Sequence, residues 1–165
     1  MTDIKQALKE ATHQLEQISD TARMDAEILL AHSLSQSRTY LYAYPDIKRT
    51  DTQQQIFEQC IARRALGVPI AYITGTREFW SLSLNVSEDT LIPRPETELL
   101  VELALTMLPN QADTRILDLG TGSGAIALAL AKERNDWQIV ACDYSKKALT
   151  IAEKNAQQLG LSNVE

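Results

Sequence analysis

Apolar residues recur at two different periods along this chain, and the change of period divides it. From residue 3 to 18, Ile4, Leu8, Ala11, Leu15 and Ile18 follow one another at steps of 4, 3, 4 and 3, the signature of an amphipathic helix. Asp20 or Thr21 is suited to accept the free N–H groups of a second helix, whose apolar positions are Ala22, Ala26, Leu29, Leu30 and Leu34. A short apolar patch, Tyr40 to Tyr44, stops at Pro45. Thr50 or Asp51 then caps a further helix carrying Ile56, Phe57, Cys60, Ile61 and Leu66, and Gly67 closes it in a left-handed conformation. Residues 1 to about 72 thus read as a small helical bundle.

After Gly75 the period falls to two. Over residues 77–90, Phe79, Ser81, Ser83 and Asn85 alternate with Trp80, Leu82, Leu84 and Val86, which predicts a strand or hairpin with one apolar face. A helix follows within 90–105, its start fixed by Pro95, its positive first turn occupied by Glu96 and Glu98, and its buried stripe supplied by Leu99, Leu100, Leu103 and Ala104. Pro109 ends it. Ile116 to Leu119 then reads as a short strand, Gly120 to Gly124 as a glycine turn, and the Ala-rich run from Ala125 as a helix. A second strand, Gln138 to Ala141, leads through Cys142 to Asp143, and Ser145 caps a helix containing Ala148, Leu149, Ile151, Ala152 and Ala156.

Composition adds bounds. The 165 residues are 44% hydrophobic and 23% charged, which is ordinary for a globular chain. No apolar run approaches the roughly 18 residues of a membrane span, and Met1 to Glu10 has no apolar core of the signal-peptide kind, so the expected location is the cytoplasm. Sixteen basic against 22 acidic side chains, with no basic stripe, argue against direct nucleic-acid binding. Cys60 and Cys142 stand in no metal-type spacing and read as buried small apolar residues. His13 and His32 lack a second ligand at helical spacing, so no metal site is expected, and Arg63 and Arg64 suit a helix C-terminus for dipole reasons alone.

The chemistry lies in the strand, turn and helix from Arg115. Glycines are needed where the backbone takes positive φ or must approach a ligand without an intervening β-carbon, and the N–H groups at the next helix start then face that ligand. Gly120, Gly122 and Ala125 also satisfy a looser dinucleotide fingerprint, which keeps a nicotinamide dehydrogenase as a remote alternative. Asp118, two residues before the first glycine, suits an ammonium-bearing ligand such as S-adenosylmethionine better than a pyrophosphate, unless it only hydrogen-bonds the loop. Asp143 lies 23 residues past Gly120, where an acidic residue ending the second strand holds a ribose diol.

Taken together, TREFWSL (76–82), LIPRPETE (91–98), ILDLGTGSGAIAL (116–128) and the strand ending at Asp143 resemble the release factor glutamine methyltransferase family. The resemblance extends through RMDAEILLAH (23–32), RTYLYAYP (38–45) and ARRALGVPIAYITG (62–75). It implies an all-α bundle followed by the first half of an α/β, doubly wound, Rossmann-like class I methyltransferase domain. It further implies methyl transfer from S-adenosylmethionine to N5 of the glutamine in the Gly-Gly-Gln motif of class-1 peptide chain release factors. Gly120, Thr121, Gly122, Ser123 and Gly124 would border the methionine and adenosine portions, and Asp143 would hold the ribose. Arg94, Pro95, Glu96 and Thr97 match the segment that lies over the family's active site.

The expected division is a substrate-recognition bundle at 1–75, a hairpin connector at 76–92 and the start of a cofactor-binding domain at 93–165, apparently truncated. The family's catalytic Asn-Pro-Pro-Tyr motif has no counterpart, since neither Asn135 nor Asn155 precedes Pro-Pro, so no catalytic residue is assigned and the chain is expected to be inactive alone. The alternatives are a noncatalytic partner-binding remnant and a methyltransferase acting on amino groups of nucleic-acid bases.

Overall fold

In a computed structural model, which describes residues 2–109, 111 and 114–165, the chain forms two compact units, Met1–Thr74 and Gly75–Glu165. The first is helical throughout: α1 (Ile4–Leu15), α2 (Ala22–Leu34), α3 (Arg38–Ala43), α4 (Asp51–Ala65) and α5 (Ile70–Thr74). Ile4, Ala7, Leu8, Ala11 and Leu15 are the buried face of α1, and they share a core with Leu29 and Leu30 of α2 and Phe57 and Ile61 of α4. Ile18 falls beyond the end of α1 and is exposed, so the helix is one turn shorter than its apolar spacing suggests. Thr50 caps α4 in a reciprocal box, its Oγ1 accepting from Gln53 N–H while Gln53 Oε1 accepts from Thr50 N–H. Ile56 and Leu66, expected inside, are exposed because the stripe that reaches the core is Phe57, Cys60 and Ile61.

Two carboxylates are buried in this unit. Asp25 accepts from Arg64 Nε at 2.8 Å and from the hydroxyls of Ser19 and Thr21. Thr21 therefore spends its side chain on Asp25 instead of capping α2, and Arg64 is held by an ion pair in addition to any dipole effect. Burial alone would raise the Asp25 pKa, but the bonds from Arg64, Ser19 and Thr21 outweigh it and hold the carboxyl below its ordinary value. Glu27 is likewise buried, accepting from Arg23, Arg38 and Tyr42.

The second unit begins with a hairpin, β1 (Thr76–Phe79) and β2 (Leu82–Asn85), joined by Trp80 and Ser81. Both turn residues take positive φ, as a type I′ hairpin requires. Phe79 pairs with Leu82, and facing residues share one side of a sheet. The apolar face is therefore Phe79, Leu82, Leu84 and Val86, with Trp80 in the turn; simple alternation, run through the turn, puts Phe79 among the polar positions instead. Glu98 accepts from Trp80 N–H and Glu133 from Trp80 Nε1, which pins the strained turn.

A single 3₁₀ turn, Pro95–Thr97, leads into α6 (Glu98–Met107). Its buried residue is Val101; Leu99, Leu100 and Leu103 are exposed, against the stripe expected from sequence. The helix is apolar on nearly every side, so the pattern could not say which side would meet α7. The remaining elements are β3 (Arg115–Leu119), α7 (Ala125–Glu133), β4 (Gln138–Cys142) and α8 (Lys146–Leu159). β3 and β4 are parallel and in register, Leu117 opposite Val140 and Leu119 opposite Cys142. One sheet face, with Ile116, Ile139 and Ala141, joins the core built by Ala127, Leu128 and Ala131 of α7. The opposite face leaves Leu117, Leu119 and Val140 exposed, and Cys142 on it is half-buried, not buried as expected. No helix among the described residues is long and apolar enough to cross a membrane.

Candidate functional site

Parallel strands place their C-terminal ends side by side, and here that juxtaposition brings Leu119–Gly124 next to Cys142–Ser145. The Cys142 carbonyl accepts from Gly120 N–H at 2.8 Å and Thr121 N–H at 2.9 Å, which bends the chain as it leaves β3. Gly124 N–H returns to the Thr121 carbonyl at 2.8 Å, and the Gly124 carbonyl accepts from Leu128 N–H at 2.8 Å to begin α7. The turn is thus closed by its own backbone and by the neighbouring strand.

Two of its glycines answer different demands. At Gly124, with φ of +84°, an added Cβ would lie 2.9 Å from Leu128 Cδ1 and 3.3 Å from Ala152 Cβ. Gly124 is required by packing between α7 and α8 as well as by its backbone. At Gly122, with φ of +58°, an added Cβ would meet nothing within 4 Å. Its missing side chain leaves an open approach to the backbone, the cradle that a ligand lying on the turn needs and that a Cβ would fill. Thr121, Ser123 and Gly124 are buried, so Gly120 and Gly122 form the accessible part of the loop.

Asp143 spans the turn from the end of β4. Its Oδ2 accepts from Gly122 N–H at 2.9 Å and its Oδ1 from Ser145 N–H at 2.8 Å. The N–H bonds from Ser145 and then Gly122 favour the ionised form and hold the Asp143 carboxyl below its ordinary value. The Tyr144 N–H acts in the same direction, and because an ionised carboxylate offers about four acceptor sites the group has capacity for a further donor. Asp118, half-buried on β3, accepts from Thr121 Oγ1 at 2.8 Å through Oδ2, so the loop uses one of its oxygens. Ser145 caps α8, its Oγ accepting from Ala148 N–H at 3.2 Å.

The structure thus gathers Gly120, Thr121, Gly122, Ser123, Gly124 and Asp143 at one strand-end site. Arg94, Pro95 and Glu96 are exposed, with Arg94 preceding the 3₁₀ turn. His13 is exposed beside Glu16, and His32 is exposed as well. Sequence reasoning passed over Asn155, which is 1% exposed and bonds to Ser123 and to Asn85. The available signal was its position: three residues past Ala152 and seven past Ala148, it is a polar residue in the buried stripe of α8.

Comparison with known proteins agrees with this layout. Residues 6–75 match the family model described as the PrmC N-terminal domain, and residues 110–165 match one described as a methyltransferase domain. The chain is 53% identical over 163 residues to the release factor glutamine methyltransferase of Coxiella burnetii (strain RSA 493 / Nine Mile phase I), covering 99% of this chain and 59% of that protein. It is 54% identical to the release factor glutamine methyltransferase of Escherichia coli (strain K12) over 157 residues, 95% of this chain and 56% of the relative. With the protein of that name from Shewanella oneidensis the identity is 49%, across 98% of this chain and 56% of the relative. The chain spans less than two thirds of the length of these relatives. Its architecture is a helical N-terminal region followed by Rossmann-like methyltransferase strands and helices.

Proposed function

From the premise that the chain belongs to the release factor glutamine methyltransferase family, we propose that it supplies the cofactor-binding turn and the helical unit of such an enzyme. The activity is methyl transfer from S-adenosylmethionine to N5 of the Gly-Gly-Gln glutamine of class-1 peptide chain release factors. The observation that carries the cofactor side is the ionised Asp143 carboxylate closed onto the Gly122 N–H beside an open glycine backbone. In this reading S-adenosylmethionine, when bound, supplies an electrophilic methyl group on a sulfonium centre.

The chain's own residues do the holding. Asp143, ionised at neutral pH as an ordinary carboxyl is, accepts the ribose hydroxyls through its remaining acceptor capacity. Asp118, with one oxygen engaged by Thr121, turns its negative charge toward the ammonium end of the ligand. Gly120 and Gly122 let the ligand lie against the main chain. The helical unit, residues 1–75, serves recognition of the protein substrate, 76–92 joins it to the cofactor side, and 93–165 begins the cofactor-binding domain.

Calorimetric titration with S-adenosylhomocysteine tests the cofactor half: saturable binding by the 165-residue chain is expected, and binding of NAD with none of S-adenosylhomocysteine would overturn it. Titration of the chain with a class-1 release factor tests the other half. Saturable binding is expected, and its absence would refute the recognition role of residues 1–75.

A further inference from the structure

We infer that Asn155 is a positioning residue for the glycine turn, fixing the Ser123 carbonyl so that the turn is held in its ligand-ready shape before anything binds. The inference rests on the cofactor reading of that turn. Asn155 is almost completely buried on α8, among Ala148, Ala152 and half-buried Ala156. A buried primary amide is costly unless its carbonyl and both N–H groups are satisfied. Here they are. Oδ1 accepts from Asn85 N–H and from Asn85 Nδ2, each at 2.7 Å. Nδ2 donates to the Asn85 carbonyl at 3.0 Å and to the Ser123 carbonyl at 2.8 Å.

The helix does not need this amide, since alanine would fill the stripe with better helix propensity and no polar group to satisfy. What the amide does is join three elements: the end of β2 through Asn85, α8 through its own backbone, and the turn through Ser123. Asn85 is itself steadied by Gln158, which accepts from its Nδ2 at 3.0 Å. Ser123 lies between Gly122, whose N–H is held by Asp143, and Gly124, so fixing its carbonyl sets the peptide plane shared with Gly124. The turn is then gripped at consecutive residues from different sides: by Cys142 at Gly120 and Thr121, by Asp143 at Gly122 and by Asn155 at Ser123. Three glycines in five residues would otherwise leave a wide choice of backbone states, and ordering them would be charged against binding.

The test compares Asn155→Ala with Val101→Ala, which thins the core of the same unit at a position remote in sequence from the turn. Affinity for S-adenosylhomocysteine is measured by calorimetry on the 165-residue chain, at a temperature where circular dichroism shows both variants folded. Asn155→Ala should lose about tenfold or more in affinity while Val101→Ala stays within about threefold. Equal losses in the two would overturn the inference, because they would report stability alone.

Amide exchange of the ligand-free chain gives a second readout. Residues 122–124 should exchange about tenfold faster in Asn155→Ala, with β3 unchanged. Unchanged exchange in the turn would overturn the inference. Failure of the wild-type chain to bind S-adenosylhomocysteine would defeat the cofactor reading instead, leaving exchange to decide the positioning. If Asn155→Ala does not fold, Asn155→Ser goes through the same comparison with the same outcomes.

Discussion

At the scale of single residues, the glycine turn separates two effects of one substitution type. Gly122→Ala meets no neighbour, so its cost to folding is confined to backbone strain of about 1 kcal/mol. Gly124→Ala adds a clash with Leu128 and Ala152, and we expect it to lower stability by about 2 kcal/mol or more in urea denaturation. Gly122→Val should therefore retain a measurable unfolding transition yet lose binding of S-adenosylhomocysteine; normal binding would make the turn merely structural. Asp143→Ala should weaken that binding by about 1–3 kcal/mol by calorimetry, through loss of the proposed ribose bonds and a loosened Gly122. The glycines and Asp143 were legible in sequence because their chemistry is tied to fixed spacing along one strand–turn–helix unit. Asn155 was not, because its partners Asn85 and Ser123 lie 70 and 32 residues away.

Elements show where local pattern suffices and where it does not. The capping box of α4 is written in four consecutive residues, and Thr50→Ala should cost about 1 kcal/mol in thermal unfolding of the helical unit. The Asp25–Arg64 pair is different, since its partners sit on α2 and α4. The folded chain holds the Asp25 carboxyl below the ordinary value near about 4. Its stabilisation is therefore complete above that value and is lost as pH falls through the depressed folded pKa. We expect the unfolding midpoint of the helical unit to fall in acid below about pH 4, and Asp25→Asn to lower it at neutral pH and flatten that acid limb. An acid limb that Asp25→Asn leaves identical to wild type would remove Asp25 from the account. On α6 the sequence misplaced the buried stripe for a related reason: a helix apolar all round carries no local mark of the side its neighbours occupy.

For the whole molecule, the two units differ in how well each closes its own core. The helical unit buries its apolar stripes on one another, and we expect residues 1–74 to unfold cooperatively as a separate chain. The second unit covers one face of its β3–β4 pair and leaves Leu117, Leu119 and Val140 in solvent on the other. Parallel sheets are ordinarily covered on both faces. Residues 75–165 expressed alone should bind an apolar dye and be cleaved by protease well before the helical unit, and Leu117→Lys with Leu119→Lys should reduce the dye signal. Protection of both units to the same degree would refute this.

The sequence by itself determined the helical first part, the strand–turn–helix succession after Arg115, the cap at Ser145, a helix start at Thr50 or Asp51, and the residues of the glycine turn. Those features depend on neighbours within a few positions, where periodicity, capping chemistry and positive φ leave direct marks. Only the tertiary structure decided that Phe79 crosses to the apolar face through a strained Trp80–Ser81 turn, that Val101 and not Leu99, Leu100 or Leu103 faces inward, and that Arg64 is paired with Asp25. It also brought Asn155 beneath Ser123. Each of these is a choice among locally equivalent alternatives, settled by which distant element packs against it.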